Sequence, residues 1–242
     1  MRIRALIPFA GLFAFGILCA AAVAPAQSTD FTVSQNGKPV GSASFTFTAK
    51  PDGIDSVSIV RVEMQGLNYA LSKEERLSTA NSLLHVQLSA IINNAAVNVV
   101  AKPEGTQILL NISANGRSNT TRLEGHPSSV LLPDFDPGAL QTLLNLAAAS
   151  NNRDLWAIVP KQAGSVSPIQ LATYPDEQGT LDAKPVTVHH LVATIAGTTT
   201  DIFVGPDNQL VQAELPQQGF ALVRKGFVLT PPAKPLAPPA GQ

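Results

Sequence analysis

"SQNGKPVGSASFTFTA", residues 34–49, holds a turn and the strand that follows it. Asn36 and Gly37 are the two residue types that best tolerate a positive φ, which a two-residue hairpin loop demands at both central positions. Beyond the turn, Ala43, Phe45, Phe47 and Ala49 alternate with Ser44, Thr46 and Thr48. An apolar residue at every second position marks an antiparallel strand with one face in a core and one in water. Residues 31–35 are therefore expected to pair with 40–49.

The same period recurs outward from this hairpin. In "DSVSIVRVEM" (55–64), Val57 and Ile59 share one face and Val60, Val62 and Met64 the other. "LNYALSKEERL" (67–77) is expected to start as a strand and dissolve into a polar loop. "SLLHVQLSAI" (82–91) and "AAVNVVA" (95–101) join through Asn93-Asn94, and "TQILLNIS" (106–113) and "RSNTTRLE" (117–124) flank a second hairpin signal, Asn115-Gly116. Six further extended stretches follow at 155–160, 167–174, 184–197, 199–205, 208–215 and 220–229. Connections this short forbid a mainly parallel sheet, whose crossovers need roughly a dozen residues or more.

One segment breaks the pattern. "DPGALQTLLNLAAAS" (136–150) offers Asp136 as an N-cap and Pro137 at the first helical position, where a missing N–H goes unneeded. Leu140, Leu143, Leu144 and Ala147 follow helical spacing, and Ser150-Asn151-Asn152 ends the run. The fold class is thus mainly β: a curved antiparallel sheet or half-barrel with one packed α-helix. It occupies a single domain over 27–229, with the helix near 137–150.

The ends of the chain read differently. Arg2 and Arg4 precede an apolar run from Ala5 to Val23, and Ala24-Pro25-Ala26 supplies small residues at a signal peptidase's spacing. Residues 1–26 are read as a signal peptide cut after Ala26, rather than as a membrane anchor. The expected location is periplasmic or secreted, with no stable membrane span after removal. Cys19, the only cysteine, lies inside this segment, behind a Leu18 too large for a lipoprotein cleavage site. The processed chain then has no disulfide or thiolate chemistry and depends on its apolar core. Arg2 and Arg4 are two of the 16 basic residues, so processing leaves 14 against 17 acidic ones, a charge of about −3. No basic stripe is present, which argues against nucleic acid as a partner. "TPPAKPLAPPAGQ" (230–242) carries five prolines and reads as an extended, disordered tail.

Catalytic patterns are sparse. His189 and His190 are neighbours on a strand, so they point to opposite faces and cannot share one metal. His85 and His126 lie far off, and no metal site or cofactor is expected. G-x-S-x-G is absent. Asp134 and Asp136 flank Phe135, a spacing that acid–base work could use. The simpler reading gives Asp136 to the helix cap, at about 1 kcal/mol, and Asp134 to a turn. No catalytic residue is assigned.

"GKPVGSASFTFTA" at the start, the central helix, and "TTDIFVGPDNQLVQAEL" with "GFALVRKGF" at the close together resemble a class of bacterial envelope proteins. That class is similar to the periplasmic lipoprotein carriers and to half-barrel relatives of unknown function. Gly37-Lys38-Pro39-Val40-Gly41 and Asp207-Asn208-Gln209-Leu210 match its turns in kind. The resemblance implies a noncatalytic envelope protein holding an apolar or lipid-like ligand, or a lipoprotein, in a half-barrel cleft. The expected cleft residues are Leu140, Leu143, Leu144 and Leu146 on the helix. Phe45, Phe47 and Phe203 are expected to face them, with Trp156 near the mouth. An envelope hydrolase with an unrecognised site, or a scaffold protein, stands as the alternative.

Overall fold

A computed structural model describes residues 28–231 apart from Asn152, Gln162 and Ala163. The signal segment and most of the proline-rich tail fall outside the described residues. Eight strands come first, each paired with the next: β1 (Thr29–Gln35), β2 (Lys38–Lys50), β3 (Gly53–Met64), β4 (Leu67–Leu77), β5 (Leu83–Ile92), β6 (Ala95–Glu104), β7 (Gln107–Ala114) and β8 (Arg117–Glu124). The β1–β2 turn has φ of 48° at Asn36 and 76° at Gly37, as the hairpin reading requires. Asn93-Asn94 and Asn115-Gly116 turn in the same way.

Next come β9 (Ser128–Leu131), helix α1 (Pro137–Ser150) and β10 (Leu155–Val159). β9 and β10 pair in parallel, Leu155 opposite Ser128 and Ile158 opposite Leu131. The helix is therefore the crossover of a βαβ unit, which an antiparallel reading of the sequence does not foresee. Four short residues, SSVL, are too few to show a period.

β11 (Ser165–Leu181), β12 (Lys184–Ile195), β13 (Thr198–Gly205), β14 (Gln209–Leu215), β15 (Phe220–Arg224) and β16 (Phe227–Leu229) complete the set. β11 runs past its expected end at Tyr174, and a bulge between Tyr174 and Glu177 lets it continue. The 220–229 stretch is not one strand. Lys225-Gly226 splits it, Gly226 taking a φ of 84°. β15 pairs with β14 and β1, while β16 crosses to the end of β11.

The 16 strands among the described residues form one unclosed, curved sheet with β8 and β9 at its ends. β1 meets β15 at the centre and joins the two halves. α1 packs on β2, β3, β9, β10 and β14. Asp136 caps it, its Oδ1 accepting from the N–H groups of Gly138 (2.9 Å) and Ala139 (3.1 Å). Asn151, left-handed at a φ of 52°, closes the other end with its N–H on the Ala147 carbonyl. Leu143, Leu144 and Leu146 are buried in the main core beside Leu131, Leu210 and Ile158.

Candidate functional site

The segment 132–136, from β9 into α1, shapes the chemistry on the helix side of the sheet. Phe135 lies in the left-handed region at a φ of 58°. For a bulky residue that backbone costs roughly 1–3 kcal/mol and persists only when its surroundings fix it. They do so here: its ring meets Tyr69 edge-on at 5.7 Å and Phe220 at 4.7 Å. Tyr69 also donates its hydroxyl to the Asp134 carbonyl at 3.2 Å. Burial first, then Asp134 and Asp136, push the Tyr69 phenol up, so it stays a donor.

The strained turn sends its two carboxylates in opposite directions. Asp134 faces outward and pairs with Lys161 at 2.8 Å. Asp136 faces inward and meets the ammonium of Lys73 at 2.8 Å, both side chains fully enclosed. They are not an acid–base pair.

Lys73 and Glu75 are the residues that sequence reasoning missed. "LNYALSKEERL" is strand throughout, and Tyr69, Leu71, Lys73, Glu75 and Leu77 all turn inward. Lys73 Nζ is also 3.4 Å from Glu75 Oε2, and Thr142 of the helix donates to the same oxygen at 3.4 Å. Burial opposes the Lys73 charge, but Asp136 and then Glu75 outweigh it and hold the amine above the usual lysine range. Two carboxylates share one ammonium, so the surplus falls on Glu75. Burial raises its carboxyl above the ordinary range, Lys73 opposing and Asp136 assisting. Ser58 lies opposite Lys73 and Ser56 opposite Glu75 across the strands. Both hydroxyls, and Glu75 Oε1, are buried without a partner. Ser58 also sets the helix approach: a Cβ on Gly138 would stand 2.2 Å from its Oγ. A lysine held charged by Asp136 is no general base for that serine, so the cluster is a sealed anchor for the start of the helix.

Beside the turn opens a cavity of about 270 Å³. Leu132, Phe135, Leu140, Val159, Ile195 and Leu222 wall it, and Thr198, Thr200, Gln218, Lys161, Asp134 and Asp136 supply its polar groups. Of the eight residues expected in a cleft, Leu140 alone lines it. Leu143, Leu144 and Leu146 fill the core. Phe45 and Phe47 touch each other at 5.3 Å beside a different, polar hollow next to α1. Phe203 belongs to a separate small core with Val188, Val211 and Phe227, and stacks on His190 at 4.7 Å. Trp156 stacks on His126, ring centroids 3.6 Å apart.

The two adjacent histidines part as strand geometry requires. His189 reaches Asp176 at 2.8 Å in solvent, while the half-buried His190 contacts Asp201 at 2.8 Å and Glu177 at 3.4 Å. Among the described residues no group of three or more His, Cys, Asp or Glu is placed to hold a metal ion. Nor is any helix there long and apolar enough to cross a membrane.

No protein family's sequence profile matches the chain, and no curated protein matches it by search. Among solved structures it is similar to a β-barrel-like protein, a domain of unknown function (DUF1849) from Brucella abortus. The two share 8% identity at a TM-score of 0.54, over 85% of this chain and 98% of that one. At that identity the likeness is one of fold: a β-barrel-like sheet. It does not single out the lipoprotein-carrier class.

Proposed function

We propose that this is an exported, noncatalytic envelope protein that holds a small apolar or lipid-like group in the cleft beside α1. One observation carries the reading: an aliphatic and aromatic wall, open to solvent, with Phe135 held against it in a strained conformation. Binding pockets for small molecules usually enclose roughly 300–1,000 Å³. A cleft of about 270 Å³ suits a single acyl chain, free or carried by a lipoprotein, rather than a two-chain lipid. The export signal at Arg2, Arg4 and Ala24-Pro25-Ala26 supports a periplasmic or secreted location. A hydrolytic reading has no such support, since the buried lysine is held by Asp136.

A second reading has an observation of its own. On the outer face of the sheet Val57, Ile59 and Ile91 are 41%, 47% and 50% exposed, around the small residues Ala70 and Ser72 of β4. That face fits a scaffold protein's partner surface.

Uptake of a fluorescent fatty-acid methyl ester, which carries no carboxylate, measured beside thermal unfolding, tests the first reading. Leu140→Trp should abolish uptake and leave melting near that of wild type. Leu143→Trp should overpack the core by roughly 1–3 kcal/mol. If the protein purified from its own envelope carries no lipid, and the wild type takes up none of several lipid classes, the cleft is only a packing gap and the outer face becomes the better reading.

A further inference from the structure

On the flank of α1 that carries Gln141 and Asn145, the structure assigns a second site of different chemistry, which we infer binds an organic carboxylate with an apolar group attached. A hollow of about 380 Å³ forms there, where β1, β2, α1, β14 and β15 meet. Among the described residues its one cation is the half-buried Arg224 at the end of β15. Among the described residues no carboxylate lies within ion-pair distance of this guanidinium. Its partner is neutral: Nη1 donates to Gln209 Oε1 at 2.6 Å. That bond fixes the plane of the fork, and among the described residues Nη2 and Nε have no partner, the pair of donors that meets a carboxylate through two parallel bonds.

The rest of the hollow completes a small recognition surface. Phe47, half-buried and set edge-on to Phe45, gives an apolar wall. Asn145 accepts from Gln141 through Oδ1, which leaves its amide N–H groups available. Thr29 adds a hydroxyl. Gln141 is not available to a ligand. Its amide donates to the Asn208 carbonyl at 2.8 Å and its oxygen accepts from the Leu210 N–H at 2.8 Å, so it holds the β13–β14 turn, and with it Gln209, against the helix. The carboxylate therefore sits on Arg224 with its apolar group on Phe47. This site does not depend on the apolar cleft.

The carboxylate could belong to a free acid or to the end of a peptide, so two probes represent them: hexanoate and N-acetyl-phenylalanine. Hexanol and N-acetyl-phenylalaninamide are their uncharged controls. Calorimetric titration of the full chain should show binding of at least one acid and of neither control. Arg224→Gln should weaken it by roughly ten- to a hundredfold, the weight of a charged hydrogen bond. Arg224→Lys should recover only part of it. Should Arg224→Gln fail to show a wild-type unfolding transition, Arg224→Lys and Phe47→Leu carry the test, each expected to weaken binding while melting normally. Equal binding of the neutral controls, binding unchanged in these variants, or binding lost instead in Leu140→Trp would overturn the assignment. So would no binding of either acid by the wild type.

Discussion

Strands β2 and β4 flank β3 and run side by side with it, yet they face the interior in opposite styles. β2 presents Ala43 and Phe45, apolar and buried. β4 presents Leu71, then Lys73 and Glu75, then Leu77, all buried too. The strands differ in what lies above them. The first turn of α1 brings Asp136 down onto β4 from 63 residues away in sequence, the gap between positions 73 and 136. A strand such as β2 carries its own instructions, because burial of apolar surface needs no particular partner. The middle of β4, Lys73 and Glu75, is buried because a distant carboxylate meets its ammonium; without that partner those two residues belong in water.

The largest test of this contrast is Lys73→Met. It leaves Asp136 and Glu75 enclosed without their counter-ion, and breaking a buried pair in this way costs about 3–5 kcal/mol. The combined change Lys73→Met, Glu75→Leu, Asp136→Asn removes the charges while keeping a cap. Apolar replacement of a whole buried ionic group is often neutral or better, so the triple variant should melt well above the single one. Chemical denaturation of both proteins decides the matter. A triple variant as unstable as Lys73→Met would mean that the cluster contributes by shape and that β4 is not a charged anchor.

This contrast also marks what was legible beforehand. The hairpins at Asn36-Gly37 and Asn115-Gly116 could be read because the turn chemistry is local. The helix could be read because Asp136, Pro137 and the leucine spacing lie within 15 residues. The inward Lys73 and Glu75 could not, since their pattern is polar and their partner remote; the one available sign was that Tyr69, Leu71 and Leu77 keep strict period two across them. Of the residues expected to line a cleft, only Leu140 borders the apolar cavity. Helical spacing shows which leucines share a face, and cannot tell which of them meets a filled core and which a gap. Gln141 and Arg224 gave no signal, for their significance comes from the β13–β14 turn that the fold places beside them.

Asp136 gives a smaller and more divided effect. A cap alone is worth about 1 kcal/mol, which is all that the sequence predicts for it. The contact with Lys73 adds to that figure. Asp136→Asn keeps the oxygen that accepts from Gly138 and Ala139 but not the charge. Glu75 remains 3.4 Å from the ammonium, so the loss should be that of one charged hydrogen bond, roughly 1.5–3 kcal/mol. Asp136→Ala should cost about 1 kcal/mol more by deleting the cap as well. Equal stability of the two variants would show that the cap contributes nothing separable. A loss near 1 kcal/mol in Asp136→Ala would show that β2 and β4 differ less than their faces suggest.

The finest distinction between the two strands is in their response to pH, since only β4 buries a titrating carboxyl. Glu75 is raised in the folded protein, chiefly by burial. A carboxyl raised on folding binds a proton more tightly in the native state than in the unfolded chain. Its contribution is therefore complete below the ordinary glutamate value of about 4.3 and is lost as pH rises through the higher native value. Lys73 is held above the usual lysine range of about 10.4, so its own contribution persists until the solution is strongly alkaline. Glu75→Gln is close in shape and cannot ionise, so subtracting its melting temperature from that of the wild type cancels the titrating groups outside the cluster. That difference should fall as pH rises from about 4 and level off once the native Glu75 value is passed, the wild type losing ground to the variant. A variant of β2 such as Phe45→Leu should show a constant difference over the same range. A flat profile for Glu75→Gln would mean that Lys73 neutralises both carboxylates together, and that the surplus charge of the cluster does not reside on Glu75.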